Sequence, residues 1–155
     1  MKIVDILRPE AIIPSLQSAK RDDVLVELAE QIHRAYPRIA PDASVIAHRL
    51  LEREVMGSTS VGEGLAIPHC RMPNLTQTLA ALGVCREGIQ MSRDDERPAR
   101  LFVALVSPTH SIGPHLRVLA RVCRLFKGTP LLTDLMELST VQEIYDSIVS
   151  FEQKL

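Results

Sequence analysis

Tryptophan is absent from the 155 residues, and two tyrosines with three phenylalanines leave aromatics at only 3%. A core must therefore come from Leu, Ile, Val and Ala, within a hydrophobic share of 46% that fits a soluble globular protein. An excess of either charge is also lacking: 18 Lys and Arg stand against 19 Asp and Glu. Phosphate-backbone binding normally needs a cationic excess, so nucleic acid is not the expected main partner. No apolar run approaches the length that crosses a bilayer, and Met1 to Asp5 does not open a signal peptide. The expectation is a cytoplasmic protein without direct membrane insertion. Cys70, Cys85 and Cys123 are odd in number and lack C-x-x-C spacing, which argues against a disulfide framework or a structural zinc site. Cys85 and Cys123 read as buried small hydrophobes, while Cys70, which adjoins His69, is open to either burial or partial exposure.

What is present has the length of one ordinary domain, expected to run over 1–155. Lys2 to Leu7 reads as a short opening helix and Ala11 to Ile13 as a brief extended piece. Ser18 is a plausible N-cap for an amphipathic helix ending before Pro37, with His33 near its C-terminus in a structural role. Pro41-Asp42 opens a second helix whose inward face is Val45, Ile46, Leu50 and Leu51, while His48 reads as a surface or satisfied histidine. Leu79 to Cys85 and Leu101 to Val106 are continuous apolar runs, expected as strands buried on both faces, with a solvated charged loop between them. Pro114 is expected to start a helix at its first position, with Leu116, Leu119, Ala120, Cys123 and Phe126 inward and Arg117, Arg121 and Arg124 as a basic stripe. Pro130 to Leu138 and Thr140 to Phe151 read as two more helices, the last opened by a Thr140-x-x-Glu143 capping box. The pattern implies an α/β sandwich with a central mixed β-sheet flanked by helices.

The densest signal is Gly57-Ser58-Thr59-Ser60-Val61-Gly62-Glu63-Gly64-Leu65-Ala66-Ile67-Pro68-His69-Cys70. Its glycines permit positive φ and a close approach to a ligand, Leu65 to Ile67 read as a short buried strand, and Pro68 stiffens the chain ahead of His69. Neutral imidazole is a competent nucleophile near neutral pH, so a histidine held there suits nucleophilic or phosphoryl chemistry. From this segment alone, a histidine that merely caps a turn is the blander alternative. Arg53 precedes the loop, where a guanidinium could reach an anion at His69. Gly62-x-Gly64 lacks the third glycine and the following helix of a dinucleotide site.

Arg53-Glu54, Met56-Gly57-Ser58-Thr59, Gly62-x-Gly64-x-Ala66-Ile67-Pro68-His69 and, after Pro108, His115-Leu116-x-x-Leu119-Ala120 together resemble the enzyme IIA domain of the bacterial phosphoenolpyruvate-dependent phosphotransferase system, of the fructose/mannitol/nitrogen-regulatory type. The similarity runs over nearly the whole chain. It implies a phosphoryl carrier in which His69 is the phosphoryl acceptor, His115 orients it or binds phosphoryl oxygens, Arg53 offsets the phosphate charge, and Ser58 and Thr59 donate hydrogen bonds to it. It implies no metal and no organic cofactor. The implied donor is a histidine phosphocarrier protein and the implied acceptor or reader is a IIB domain or a regulatory target; Met56, Met72 and the Arg117 stripe are candidate contacts. Ser60 and Cys70 replace glycines usual in the family, which implies a stiffer loop. The length leaves no room for transporter or IIB domains, which is more consistent with the nitrogen-regulatory subgroup, while the domain could equally serve a sugar transporter encoded separately. A non-catalytic regulatory module on the same fold, and a thiol- or metal-dependent enzyme using Cys70 and the histidines, remain the alternatives.

Overall fold

The computed structural model describes residues 1–155. Strand β6 (Ala99–Pro108) is its axis, with every residue buried except the half-buried Arg100. Such a run has no polar face to offer water, so it must be covered on both sides. Antiparallel β5 (Leu79–Ile89) lies along one edge, pairing Leu79 with Val106 and Val84 with Leu101. The two strands reach further into the charged segment than the apolar runs suggest, because Arg86 and Arg100 hold the ladder's end: Arg100 Nε donates to the Arg86 carbonyl at 2.8 Å.

On the other edge of β6 run two short parallel strands in succession, β3 (Leu65–Ala66) and β4 (His69–Met72). β2 (Ser60–Gly62) pairs antiparallel with β3, and β1 (Ile12–Ile13) pairs parallel with β5. The resulting mixed sheet runs β1-β5-β6-β3-β2, with β4 joined to β6 off that path. Gly62 and Gly64 have φ of 88° and 84°, flanking Glu63 at 55°, so the β2–β3 turn is left-handed throughout and two of its three positions need glycine.

Helix α1 (Arg21–Ala35) packs on α2 (Ala43–Val55) and on β5. Ser18 does not cap α1: its backbone N–H and hydroxyl both donate to Glu27, and Lys20 takes the N-cap position. The buried face of α2 is Ile46, Ala47, Leu50 and Glu54, whereas Val45 is exposed. His33 Nδ1 bonds the Pro41 carbonyl, tying α1 to the following turn, and exposed His48 sits beside Glu52. Helix α3 (Ile112–Phe126) begins two residues before Pro114, which is its third residue rather than its first. Its inward face is His115, Val118, Val122, Leu125 and Phe126, rotated by one residue from the expected set, because a hydrogen bond draws the polar His115 inward and turns Leu116 out. Helices α4 (Pro130–Leu135) and α5 (Val141–Gln153) follow, the latter opened by the reciprocal Thr140–Glu143 capping box. Ile3 to Asp5 forms a single 3-10 turn instead of an opening helix, anchored where the Ile3 N–H donates to the buried Glu152. One cluster of 45 buried apolar residues forms the core, dominated by Leu, Ile, Val and Ala.

Candidate phosphoryl-transfer site

The site is built on a break in a strand. β3 and β4 would be one strand along β6 were it not for Ile67-Pro68, where proline offers no N–H to the ladder. The Pro68 carbonyl still accepts the Leu105 N–H at 2.9 Å, and the Ile67 N–H turns to Thr59 on the β2 side. His69 is therefore the first residue after a rigid joint whose two sides are separately pinned. Alternation along β4 buries Cys70 and Met72 and leaves His69 and Arg71 on the other face. Across from them in register, Leu105 and Ser107 of β6 share that face.

His69 Nδ1 lies 2.7 Å from the Ile67 carbonyl oxygen. A carbonyl can only accept, so Nδ1 carries the proton and Nε2 carries the lone pair. Burial holds the His69 pKa below its ordinary value, with the Arg53 guanidinium adding to the depression; the Ile67 bond and the Glu54 carboxylate oppose it. The imidazole is neutral near pH 7. Nε2 has no hydrogen-bond partner, yet no side-chain nitrogen or oxygen in the protein is both buried and unpartnered, so Nε2 opens to solvent.

It opens into a cleft of about 400 Å³ between β4, the end of α2 and the first turns of α3. The polar lining is Arg53, His69, Arg71 and His115; Met56, Ile112, Leu116 and Leu119 supply an apolar rim. The His69 and His115 rings are 5.4 Å apart between centroids, tilted by 51°. His115 is 7% exposed, and burial, then His69 and then Arg71 push its pKa down to about 4, so it too is neutral. Arg53 donates one Nη1 bond to the Gly57 carbonyl at 2.9 Å, which braces its guanidinium and leaves Nε and Nη2 free. Two guanidinium charges beside two neutral imidazoles make a cationic cleft with a nucleophilic nitrogen at its wall.

Of the residues expected at the site, His69, His115 and Arg53 meet in this cleft, and Ser58 and Thr59 do not. Thr59 is buried, and both of its donors are used on Glu54: N–H to Oε1 at 3.0 Å and hydroxyl to Oε2 at 2.7 Å. Ser58 lines a separate, larger hollow with Lys20, Arg21 and Arg93, and its hydroxyl accepts the Ser60 N–H. Met72 is buried and offers no contact surface, whereas Met56 is 83% exposed at the rim. Cys70 is buried rather than partly exposed, and burial pushes its thiol up to about 12, which removes it as a nucleophile. Cys85 and Cys123 are half-buried. Arg71 was missed; the period-2 alternation of β4 from His69 would have found it. Ser107, whose hydroxyl is 2.7 Å from His115 Nδ1, is marked in the sequence only by its place at the C-terminal end of the second apolar run, where ligand-contacting residues gather in open α/β sheets.

The family model described as "Phosphoenolpyruvate-dependent sugar phosphotransferase system, EIIA 2" matches residues 5–150. A nitrogen regulatory protein of Bradyrhizobium diazoefficiens is 32% identical over 145 residues, covering 94% of this chain and 93% of that protein. Among solved structures, the nitrogen regulatory protein IIA-Ntr of Neisseria meningitidis superposes with a TM-score of 0.84 at 26% identity, over 94% of this chain and 98% of that one. The Escherichia coli mannitol enzyme IIA, solved in complex with phosphorylated enzyme IIB, shares the fold with a TM-score of 0.74 at 17% identity, over 93% and 97% of the two chains.

Proposed function

This chain belongs to the phosphoenolpyruvate-dependent sugar phosphotransferase system EIIA 2 family of phosphotransfer components, and we propose that within it His69 Nε2 is the atom that accepts and hands on the phosphoryl group. The observation that carries this is the 2.7 Å bond from His69 Nδ1 to the Ile67 carbonyl, which leaves Nε2 bare on the cleft wall. The lone pair of Nε2 attacks phosphorus in line as the bond to the donor's imidazole nitrogen breaks and its electron pair returns to the donor ring. As the N–P bond forms, positive charge spreads over the His69 ring to Nδ1–H, where the carbonyl dipole offsets it. Phosphoryl transfer asks of a protein mainly position and charge stabilisation. The pinned strand break supplies the first; Arg53 and Arg71 supply the second, and His115 faces the transferred group from α3.

The donor in this reading is a histidine phosphocarrier protein. The phosphoryl group then passes to a IIB domain, as the partner of the mannitol enzyme IIA suggests, or its presence is read by a regulatory target, as the nitrogen regulatory relatives suggest. The whole of 1–155 acts as one domain. The reading is tested by intact mass after incubation with phosphoenolpyruvate, the first phosphotransferase enzyme and the phosphocarrier. One acid-labile phosphoryl group on the wild type, absent from His69→Ala, is expected. No mass gain with several donors would leave a regulatory binding module on this fold as the better account.

A further inference from the structure

Behind His115, on the side away from the cleft, lies a pair of hydroxyls. Ser107 at the end of β6 is fully buried, and its Oγ is 2.7 Å from His115 Nδ1. Thr78, one residue before β5, places its Oγ1 3.3 Å from the same Ser107 oxygen. β5 and β6 pair antiparallel at this end, with Leu79 opposite Val106, so the sheet register itself brings Thr78 beside Ser107.

Ser107 has one proton to give. Its hydrogen-bond neighbours are the His115 ring nitrogen at 2.7 Å and the Thr78 hydroxyl at 3.3 Å. An imidazole lone pair is the stronger acceptor and lies at the shorter distance, so the Ser107 proton goes to Nδ1 and the Thr78 hydroxyl donates to Ser107. The proton of neutral His115 then sits on Nε2. That atom has no partner in the protein and is not buried, so it reaches the cleft that holds His69. In the opposite tautomer, two bare Nε2 lone pairs would border the cleft and repel a phosphoryl oxygen.

We propose that Ser107, backed by Thr78, is a positioning residue that fixes the tautomer of His115, so that its Nε2–H is a hydrogen-bond donor to the phosphoryl group transferred at His69. The consequence for transfer rests on the function proposed above; the tautomer does not. Depression of the His115 pKa agrees, since only a neutral ring has a tautomer to fix. The arrangement matches the rule that the partner of one imidazole nitrogen sets what the other can do.

Long-range proton–nitrogen correlation spectra of the histidine rings at pH 7 read the tautomer directly, because bare and protonated ring nitrogens resonate in separate regions. In the wild type, His115 is expected to show a bare, hydrogen-bonded Nδ1 and a protonated Nε2. Ser107→Ala should shift His115 toward the other tautomer, Thr78→Val should do so to a smaller degree, and Ser107→Thr should restore the wild-type pattern. Phosphoryl uptake by Ser107→Ala, followed by intact mass, should slow on the order of tenfold, the worth of one hydrogen bond to a charged group. A protonated Nδ1 in wild-type His115 would overturn the proposal, whether or not Ser107→Ala folds, and so would a spectrum unmoved by Ser107→Ala. A wild type with the expected tautomer that takes up no phosphoryl group would instead refute the function and leave the positioning intact.

Discussion

Glu54 and Thr59, five residues apart at the end of α2 and in the loop that follows it, are joined by two hydrogen bonds while both are almost fully buried. The carboxylate accepts the Thr59 N–H and hydroxyl together, so the loop that leads to Gly62 and Gly64 is fastened to the helix below it. A hydroxyl spent in this way is structural. Thr59→Val keeps the shape, removes the hydroxyl and leaves a buried carboxylate oxygen without that partner, at a cost of about 1–3 kcal/mol. A lower denaturant midpoint with unchanged phosphoryl uptake per folded molecule is expected. Loss of uptake in a protein of unaltered stability would return Thr59 to the phosphate site.

The two neutral imidazoles set a pH dependence with a definite sign. Burial lowers the pKa of both His69 and His115, the latter to about 4. Above the unfolded value of about 6.5 neither state binds the protons, and their contribution to stability is flat. As pH falls below it, the unfolded chain gains protons that the folded protein refuses, so stability declines until the folded pKa is reached. Denaturant midpoints at pH 7, 5.5 and 4.5 should fall in that order. Replacing His115 by Gln should flatten the slope between the first two points.

How much of this was legible in the sequence depends on whether the information is local. The glycine pair, the Ile67-Pro68-His69 joint and the two long apolar runs could be read because turn chemistry, proline geometry and continuous burial act over a few residues. The roles of Thr59 and Ser107 could not, since each is decided by a partner that only folding brings near: the Glu54 carboxylate across a loop, and the His115 ring across the β6–α3 turn. The same Ser107 bond explains why the α3 face was displaced by one residue. A polar His115 counts as outward in a hydrophobic pattern until a buried hydroxyl is seen to claim it.

Arg71 shares the His69 face of β4 and lines the cleft with both rings, and its charge bears on His115. It is among the causes that lower the His115 pKa and is not among those that lower the His69 pKa. Arg71→Gln should therefore raise the pKa of His115 in an NMR titration while leaving that of His69 in place. Arg53→Gln should instead raise the pKa of His69 and leave that of His115 in place. In the proposed function each guanidinium also meets developing phosphate charge, so both variants should slow uptake, Arg53→Gln by on the order of 10²-fold if its free donors act as preorganised ones do elsewhere.

The cleft's rim carries large apolar side chains that the fold leaves uncovered: Met56 at 83% exposure, and Ile112 and Leu116 at 60% each. All three line the hollow that holds Nε2 of His69, and α3 is turned so that Leu116 faces out. Scattered exposed hydrophobics need no explanation, but in the proposed function a group around His69 Nε2 lies where a protein donor would dock to bring two imidazoles in line. Truncating one rim side chain should tell docking from chemistry. Leu116→Ala adds no charge to the cleft and removes no core side chain, so the denaturant midpoint should hold. Uptake from the phosphocarrier should then show a raised KM with kcat little changed, the signature of binding lost equally from ground and transition states. A fall in kcat at constant KM would instead place Leu116 in the chemistry, and an unchanged KM would move the docking surface away from α3, toward the hollow lined by Lys20, Arg21 and Ser58.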